Sequence, residues 1–252
     1  MPKSLSALII AKDEERDLPG CLESLDGLAD EIVVLVDAAT TDRTAEIAKA
    51  AGAKVERRAF DDYARQRQAA LDLCTKDWVL WIDADERLDR GLHAAIETSL
   101  ERPAADAYPI PFDVVFLGRT LRWGGYGHEK HVRLFRREKA RFVGGQLHEG
   151  LSVDGTVGRP LAGRMMHEPY KSLSEYLSKL DRYTTLAARK KWDAGARFRP
   201  WHHLVLPGQL ARRLLFQLAF LDGFAGVSLA VLAGFHHWLK YAKLKEMEDS
   251  LK

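Results

Sequence analysis

Short apolar runs alternate with helix-like segments over the first hundred residues of the chain. The apolar runs, each followed by polar or acidic residues, are 4–11, 31–36 and 78–82, and the more polar segment 53–57 can form a further strand between the last two. After the first run, apolar residues recur at helical spacing from Leu18 to Leu28. Aliphatic strands that alternate with helices over short connections favour a parallel sheet with right-handed crossovers. The pattern therefore predicts an α/β fold built on a doubly wound sheet.

The pattern becomes antiparallel in character from Tyr108 onward. Strands become shorter and turns more frequent, as in the alternating segment 132–135. The glycine-rich stretch Trp123-Gly124-Gly125-Tyr126-Gly127-His128 is either a plain turn cluster or a functional loop, and the sequence leaves both alternatives open. We therefore expect the sheet to be mixed, with antiparallel strands added to the parallel half.

A helical region follows the sheet. Residues 172–175 read Ser-Leu-Ser-Glu, a capping-box pattern that predicts a helix running toward Gly195. The predicted organisation has three parts: a βα half over residues 1–106, a mixed region of the same domain over 107–170, and a helical extension over 171–252.

The C-terminal region contains a long apolar run, residues 214–239, in which Asp222 is the one charged residue. Arg212 and Arg213 precede the run, and Lys240 follows it. Asp222-Gly223 divides the run into segments shorter than the roughly 20 apolar residues that a spanning helix needs. We expect two hydrophobic helices, which either lie on a membrane surface or pack on the domain or on another subunit.

The composition is that of an ordinary globular protein. A chain of 252 residues with 46% hydrophobic content can bury a sizeable core. Cys21 and Cys74 fall on apolar helical faces without metal-ligand spacing, so we expect both to be reduced core residues. The N-terminus lacks the apolar core of a signal peptide. These features favour a cytoplasmic protein, for which we expect no nucleic-acid partner.

Three closely spaced carboxylates, Asp83, Asp85 and Glu86, follow the apolar run 78–82, and Asp37 follows the run 31–36. Carboxylates packed together repel unless a cation offsets the charge, and their hard oxygen ligands suit Mg²⁺ or Mn²⁺. The alternative is that Asp83 or Asp85 merely caps a helix that begins near Asp89. This half of the chain has no glycine motif of a dinucleotide fold or P-loop, so any phosphates must be held by metal and side chains.

Several motifs together resemble a known family. Segments 9–15, 31–44 and 83–86 resemble, in that order, the motifs of family-2 glycosyltransferases of GT-A fold. Segments 133–137 and 147–149, followed by the segment that begins at His167, resemble the subgroup that includes lipopolysaccharide core glucosyltransferases. The resemblance implies a GT-A-like mixed sheet with a C-terminal helical extension.

The resemblance also implies roles for individual residues. The residues that correspond to the nucleotide-sugar site are Lys12, Asp13, Glu14, Asp37, Arg67, Asp83 and Ala84. Asp85 corresponds to a ligand of the divalent metal, Mg²⁺ or Mn²⁺, and His167 to a later histidine that can join it. Glu149 corresponds to the acid that deprotonates the acceptor hydroxyl. In two departures, Asp13 and Gln68 stand where the family more usually has Asn.

The resemblance implies an inverting glycosyltransferase. It would move a sugar from a nucleotide diphosphate donor, such as a UDP-hexose, to a hydroxyl of a cell-envelope glycan or glycolipid, for which the subgroup suggests lipopolysaccharide core. Two alternatives remain: a sugar nucleotidyltransferase, which would release pyrophosphate, and a non-catalytic, membrane-bound glycan-binding module. Attachment to the inner face of the cytoplasmic membrane and an oligomeric state both remain open.

Overall fold

The computed structural model describes residues 4–145, 148–170 and 172–250, and the side chains of His148 and Glu149 lie outside the described part. The chain divides into two compact units. One unit comprises residues 1–112 and 129–167, and the other comprises residues 113–128 and 168–252. The glycine-rich stretch therefore belongs to the unit that contains the C-terminal helices. The division into three parts stays a prediction.

The first half of the chain forms the predicted parallel sheet. Its strands are β1 (Leu5–Ala11), β2 (Glu31–Asp37), β3 (Lys54–Arg58) and β4 (Trp78–Trp81), and its helices are α1 (Leu18–Ser24), α2 (Thr44–Ala50) and α3 (Tyr63–Leu73). The strands lie in the order β3-β2-β1-β4, and every neighbouring pair is parallel. This arrangement brings the carboxyl ends of the strands to one edge of the sheet.

The strands that follow pair in the antiparallel sense, and some of them extend this sheet. They are β5 (Glu86–Leu88), β6 (Ala107–Phe116), β7 (Arg119–Leu121), β8 (Lys130–Arg136), β9 (Ala140–Gly145), β10 (His148–Val153) and β11 (Met165–His167). Strand β8 pairs with β4 and β6, β11 pairs with β5, and β9 with β10 forms a separate two-stranded sheet. The predicted α/β GT-A-like mixed sheet is confirmed.

Core packing explains why these runs form strands. Alternate residues of β1 enter the two core clusters on opposite faces of the sheet, as Leu8 and Ile9 show. Cys21 and Cys74 are buried and unpaired, as expected. Burial raises the pKa of the Cys74 thiol to about 12, which keeps it protonated at neutral pH.

The helix α4 (Arg90–Glu101) is capped by Asp89, whose Oδ1 accepts a hydrogen bond from the Leu92 N–H at 2.6 Å. Strand β5 separates Asp83 and Asp85 from this helix. The alternative that one of these two carboxylates serves only as its N-cap is therefore wrong.

The helical extension differs in part from the prediction. Its elements are α5 (Leu173–Asp193), a 3₁₀ helix (Pro200–Leu204), α6 (Val205–Ala211), a π-helical turn (Arg212–Phe216), a 3₁₀ turn (Ala219–Asp222) and α7 (Gly223–Asp249). The first half of the apolar run is thus broken into turns, and the second half lies within one helix of 27 residues. Asp222 precedes that helix instead of interrupting a helical run.

The segment Ala219–Asp249 is long and apolar enough to cross a membrane, judged by length and composition alone, and its most apolar 18-residue window has a mean hydropathy of 1.5. However, 44% of its most apolar stretch is buried within the protein. The buried side chains of α7, among them Ala225 and Leu229, pack with Tyr176 and Leu180 of α5. One face of α7 thus completes a core.

Removing the N-cap of α5 should destabilise the protein. The Ser172 Oγ accepts a hydrogen bond from the Glu175 N–H at 3.1 Å, as the capping-box pattern predicts. We expect Ser172→Ala to lower the free energy of unfolding by about 1 kcal/mol, because a backbone donor loses its partner. Ser174→Ala, in the same helical turn, is the control and should have a smaller effect. Equal urea midpoints for the two variants would contradict the assignment.

Candidate active site

The carboxyl edge of the parallel sheet gathers the residues that the sequence singled out. Strand β1 lies between β2 and β4, so Asp37 at the end of β2 and Asp83 after β4 flank the end of β1. Two strand spacings separate β2 from β4, or about 10 Å. A crevice of this width, lined by acids and by the loop after β1, can accept a nucleotide.

The loop after β1 is tied to the loop after β2. Asp13 has a positive φ of 55°, a conformation that Asn and Asp adopt more readily than other side chains do. Its Oδ1 accepts a hydrogen bond from the Thr41 N–H at 2.8 Å, and the Glu14 N–H donates to Thr44 Oγ1 at 2.8 Å. Asp13 therefore supports the loop, and its side chain is partly committed to that role.

Asp37 is buried at the end of β2. The Ala39 N–H donates to its Oδ1 at 3.0 Å and lowers the pKa of the carboxyl, and the Lys12 ammonium 3.4 Å from Oδ2 adds to this effect. Asp37 is thus a fixed anion, and the exposed Lys12 beside it can contact an anionic ligand.

Two arginines hold Asp83. Arg67 Nη2 donates to its Oδ1 at 3.2 Å, and Arg133 approaches its Oδ2 at 3.4 Å. Trp81 Nε1 also donates to Asp83 Oδ1 at 3.2 Å. Burial raises the pKa of Asp83, but the charges of Arg133 and Arg67 outweigh burial and hold that pKa well below its usual range. Asp83 is therefore ionised at neutral pH.

The two guanidinium groups also contact the Trp81 ring. The Arg133 Cζ lies 3.9 Å from the ring centroid and the Arg67 Cζ lies 4.4 Å from it. Cations over an aromatic face are attracted by the ring quadrupole, and Arg is well suited to such stacking. These contacts fix both side chains in the positions from which they reach Asp83.

Glu86 is only 1% exposed and lies at the start of β5. Its Oε2 accepts the Asp83 N–H at 2.8 Å, and its Oε1 accepts Arg133 Nη2 at 2.9 Å. Burial, together with the Asp83 charge, raises the pKa of Glu86 to about 7 against the opposing effect of Arg133. Glu86 therefore holds the backbone of Asp83 and is shielded from solvent.

Asp85 and His167 approach each other across β5 and β11. The Asp85 Oδ2 lies 3.3 Å from His167 Nε2, and the strand register pairs His167 with Glu86. Burial alone would lower the pKa of His167, but the hydrogen bond to Asp85 and the nearby carboxylates raise it. These residues are 82 positions apart in the sequence, and the family resemblance implies that His167 can join Asp85 at one metal.

The donor pair fits a divalent metal. Two ligands about 2.1 Å from a metal and about 90° apart lie about 3 Å from each other, close to the separation of the Asp85 and His167 atoms. Among the residues that the structure describes, no three His, Cys, Asp or Glu side chains form a metal-binding group. The protein would thus supply two ligands, and substrate oxygens and water the others.

Three further residues have defined positions. Gln68 Oε1 accepts the Phe142 N–H at 2.8 Å, so this departure from the family pattern supports β9. The Ala84 side chain is buried in the core. Glu149 lies in β10 with its Cα opposite that of Gly144, and its side chain lies outside the described part of the structure. The role assigned to Glu149 stays a prediction.

Arg133 is a site residue that the sequence analysis did not assign. A signal was present, because Arg133 stands among apolar residues in a segment predicted to be a strand. An arginine buried in a sheet requires an anionic partner. The sequence did not show which acid that would be, since the pairing of β8 with β4 joins segments about 50 residues apart.

Comparisons with known proteins extend these observations. The family model described as "Glycosyl transferase family 2" matches residues 6–159. The chain is 32% identical over 254 residues to the lipopolysaccharide core biosynthesis glycosyltransferase LpsC of Rhizobium meliloti, covering 95% of this chain and 91% of that protein. It is 28% identical to an uncharacterized glycosyltransferase of Rickettsia typhi, covering 97% of this chain and 88% of that protein.

Among solved structures, the chain is similar to glucosyl-3-phosphoglycerate synthase of Mycobacterium tuberculosis, crystallised with Mg²⁺ and uridine diphosphate. The sequence identity is 19% and the TM-score is 0.46. The match covers 69% of this chain and 74% of that one.

Glu86 should make stability depend on pH. Its pKa is raised from the ordinary 4.5 to about 7 in the folded protein, so the folded state binds this proton more tightly than the unfolded state does. The resulting stabilisation is full below pH 4.5 and is lost as the pH rises toward 7. We predict that this decline disappears in Glu86→Gln, measured by urea unfolding with EDTA present. The exposed control, Glu138→Gln, should keep it. Parallel pH profiles for wild type and Glu86→Gln would refute the prediction.

Proposed function

This chain belongs to glycosyl transferase family 2, and we propose that it transfers a sugar from a nucleotide diphosphate donor to a hydroxyl group with inversion at the sugar carbon. The pair formed by Asp85 and His167, next to an Asp83 anchored by two arginines, is the observation that carries this proposal. Membership of this family makes the chain an enzyme and favours sugar transfer over the nucleotidyltransferase and binding-module alternatives.

The donor would lie along the carboxyl edge of the sheet. Asp37 and Lys12 would contact the nucleoside, and Asp83 would contact the ribose and sugar. Asp13 and Glu14 would form the loop around the base. Arg67 would retain its contact with Asp83 and present positive charge toward the donor. A UDP-linked hexose is the proposed donor.

Asp85 and His167 would hold Mg²⁺ or Mn²⁺ on the donor diphosphate. When bound, such a metal offsets the negative charge that develops on the departing diphosphate. The protein residues prepare the site: Arg133 and Glu86 fix Asp83, and the β5–β11 pairing brings His167 to Asp85. Because the charges are arranged before the substrate arrives, little reorganisation is needed during transfer.

Glu149 is the proposed general base. It would remove the proton from the acceptor hydroxyl as that oxygen attacks the sugar carbon, and a single displacement inverts the configuration there. This assignment rests on its place in the family pattern, after the glycine-rich stretch and before His167.

The acceptor is proposed to be a glycan or glycolipid of the cell envelope. The relative LpsC, which is similar over nearly the whole of this chain, is a lipopolysaccharide core glycosyltransferase by name. By this similarity, we propose lipopolysaccharide core as the acceptor class. Such an acceptor is lipid-linked, so a peripheral position on the inner face of the cytoplasmic membrane is part of the proposal.

Replacing Asp85 should abolish the metal dependence of nucleotide binding. We expect Mn²⁺ to tighten UDP binding to the wild type, and Asp85→Asn to weaken Mn²⁺-dependent binding by at least about tenfold, because a ligand is lost. Asp77→Asn, immediately before β4 and at the opposite end of that strand from Asp85, is the matched control and should bind like the wild type. Isothermal calorimetry measures this directly. An unchanged Mn²⁺ effect in Asp85→Asn would rule out its role as ligand.

Replacing Glu149 should separate binding from chemistry. Glu149→Gln keeps the shape of the side chain but cannot accept the proton, so we expect turnover to fall about a hundredfold or more. UDP binding should persist. Release of nucleoside diphosphate with a truncated lipopolysaccharide acceptor and UDP-hexoses provides the assay, with Glu138→Gln as control. If Glu149→Gln turns over at the parental rate, the base is another residue, with Asp113 and Glu129 the next candidates.

A further inference from the structure

The turn between α6 and α7 exposes large apolar side chains. We call residues 212–224 the aromatic turn. Phe216 is 81% exposed, Phe224 is 77% exposed and Leu215 is 68% exposed, and Phe220 lies midway between the two phenylalanines in sequence, also exposed. Single exposed apolar residues are ordinary, but a run of several large ones marks an interaction surface.

Exposed arginines lie in and beside the aromatic turn. From residue 205 to residue 244, Asp222 is the only acid, and it is buried. Arg119, Arg122 and Arg212 are exposed. The Arg119 guanidinium lies 3.4 Å from the point that a Cβ on Gly223 would occupy, so it sits against the turn. Aromatic and aliphatic side chains flanked by arginines match the interface of a bilayer with anionic head groups.

The backbone of the aromatic turn leaves the regular helical path. A π-helical turn occupies Arg212–Phe216, and Leu218 has a positive φ of 54°. Leucine rarely adopts this left-handed conformation, so the surrounding packing must impose it. The departure ends the helical run before α7 begins and leaves Phe216 at the surface.

The aromatic turn also holds the glycine-rich stretch. Asp222 Oδ2 accepts hydrogen bonds from the Arg122 N–H at 3.0 Å and the Trp123 N–H at 2.8 Å. The Gly124 N–H donates to the Gln217 carbonyl at 2.8 Å. These bonds satisfy a buried carboxylate and fix the start of the stretch.

Arg213 adds a second connection to the same stretch. Its Nη1 donates to the Gly124 carbonyl at 2.9 Å and to the Tyr126 hydroxyl at 3.0 Å. A Cβ on Gly124 would approach the Ala219 Cβ to 3.1 Å, so the two segments are in close contact there. A displacement of the aromatic turn must therefore also move the glycine-rich stretch.

We propose that the aromatic turn inserts Leu215, Phe216, Phe220 and Phe224 into the interface of an anionic phospholipid bilayer and thereby holds the glycine-rich stretch, residues 123–128, at the lipid surface. Asp222 is the positioning residue that links the two segments. This membrane contact rests on the proposed function in one respect: it would bring the enzyme to an acceptor that is itself lipid-linked.

Vesicle flotation of the full chain tests the insertion. We expect wild type to float with vesicles of phosphatidylethanolamine and phosphatidylglycerol, and the triple variant Phe216→Ser/Phe220→Ser/Phe224→Ser to bind at least about tenfold less. The control Leu177→Ser/Leu186→Ser removes exposed apolar side chains of α5 and should bind like the wild type. Phe216→Ser alone provides a second variant that changes one exposed side chain.

Three results would overturn the insertion. They are a wild type that stays soluble with these vesicles, a triple variant that floats equally well, and equal losses in the triple variant and its control. Light scattering without lipid adds a fourth: a wild-type dimer that the triple variant converts to monomers would assign the surface to a second copy. Flotation requires no nucleotide, so its failure leaves Mn²⁺-dependent UDP binding unaffected, and loss of UDP binding leaves flotation unaffected.

Hydrogen exchange tests the link to the glycine-rich stretch. We expect amide exchange of residues 122–126 in the full chain to slow when phosphatidylglycerol-containing vesicles are added. The reason is that insertion fixes the aromatic turn, which holds these residues by hydrogen bonds. Phosphatidylcholine vesicles are the control and should leave exchange unchanged. Unaltered exchange over residues 122–126, in a sample that floats with anionic vesicles, would refute the link while leaving insertion in place.

Discussion

The neutralisation of the carboxylates at the end of β4 is the interaction on which the site depends. The Asp83 N–H donates a hydrogen bond to the Glu86 carboxylate, so the two acids lie close together. Their charges would repel each other without a compensating positive charge. Arg133 contacts both acids, and Arg67 contacts Asp83. These contacts compensate the charges of Asp83 and Glu86 within the protein, whereas Asp85 lies against His167.

Much of this arrangement was predictable because parallel strands carry a strong signal. A buried strand such as β4 reads as an uninterrupted apolar run, and parallel strands must present their carboxyl ends at one edge. Asp37 and Asp83 were therefore placed correctly from the sequence alone. The contact of Arg133 with these acids was not predictable, since it depends on the register between β8 and β4, which a periodic pattern does not determine.

The C-terminal region shows a different limit. In the sequence, Asp222 reads as an interruption of an apolar run, since a carboxylate is costly in an apolar setting. In the structure, it accepts backbone N–H groups from residues about 100 positions earlier, which offsets the cost of burial. Local hydrophobicity identified the apolar surface. Only the tertiary structure shows that this surface and the glycine-rich stretch form one piece of the protein.

We propose that Asp85 and His167 bind the metal that holds the donor diphosphate. Anomalous scattering from crystals grown with Mn²⁺ and UDP, measured at the manganese absorption edge, tests this most directly. We expect an anomalous peak within bonding distance of the Asp85 carboxylate and His167 Nε2, next to the UDP phosphates. A Mn²⁺ peak bound elsewhere, or UDP bound at this edge without a peak between those two side chains, would contradict it.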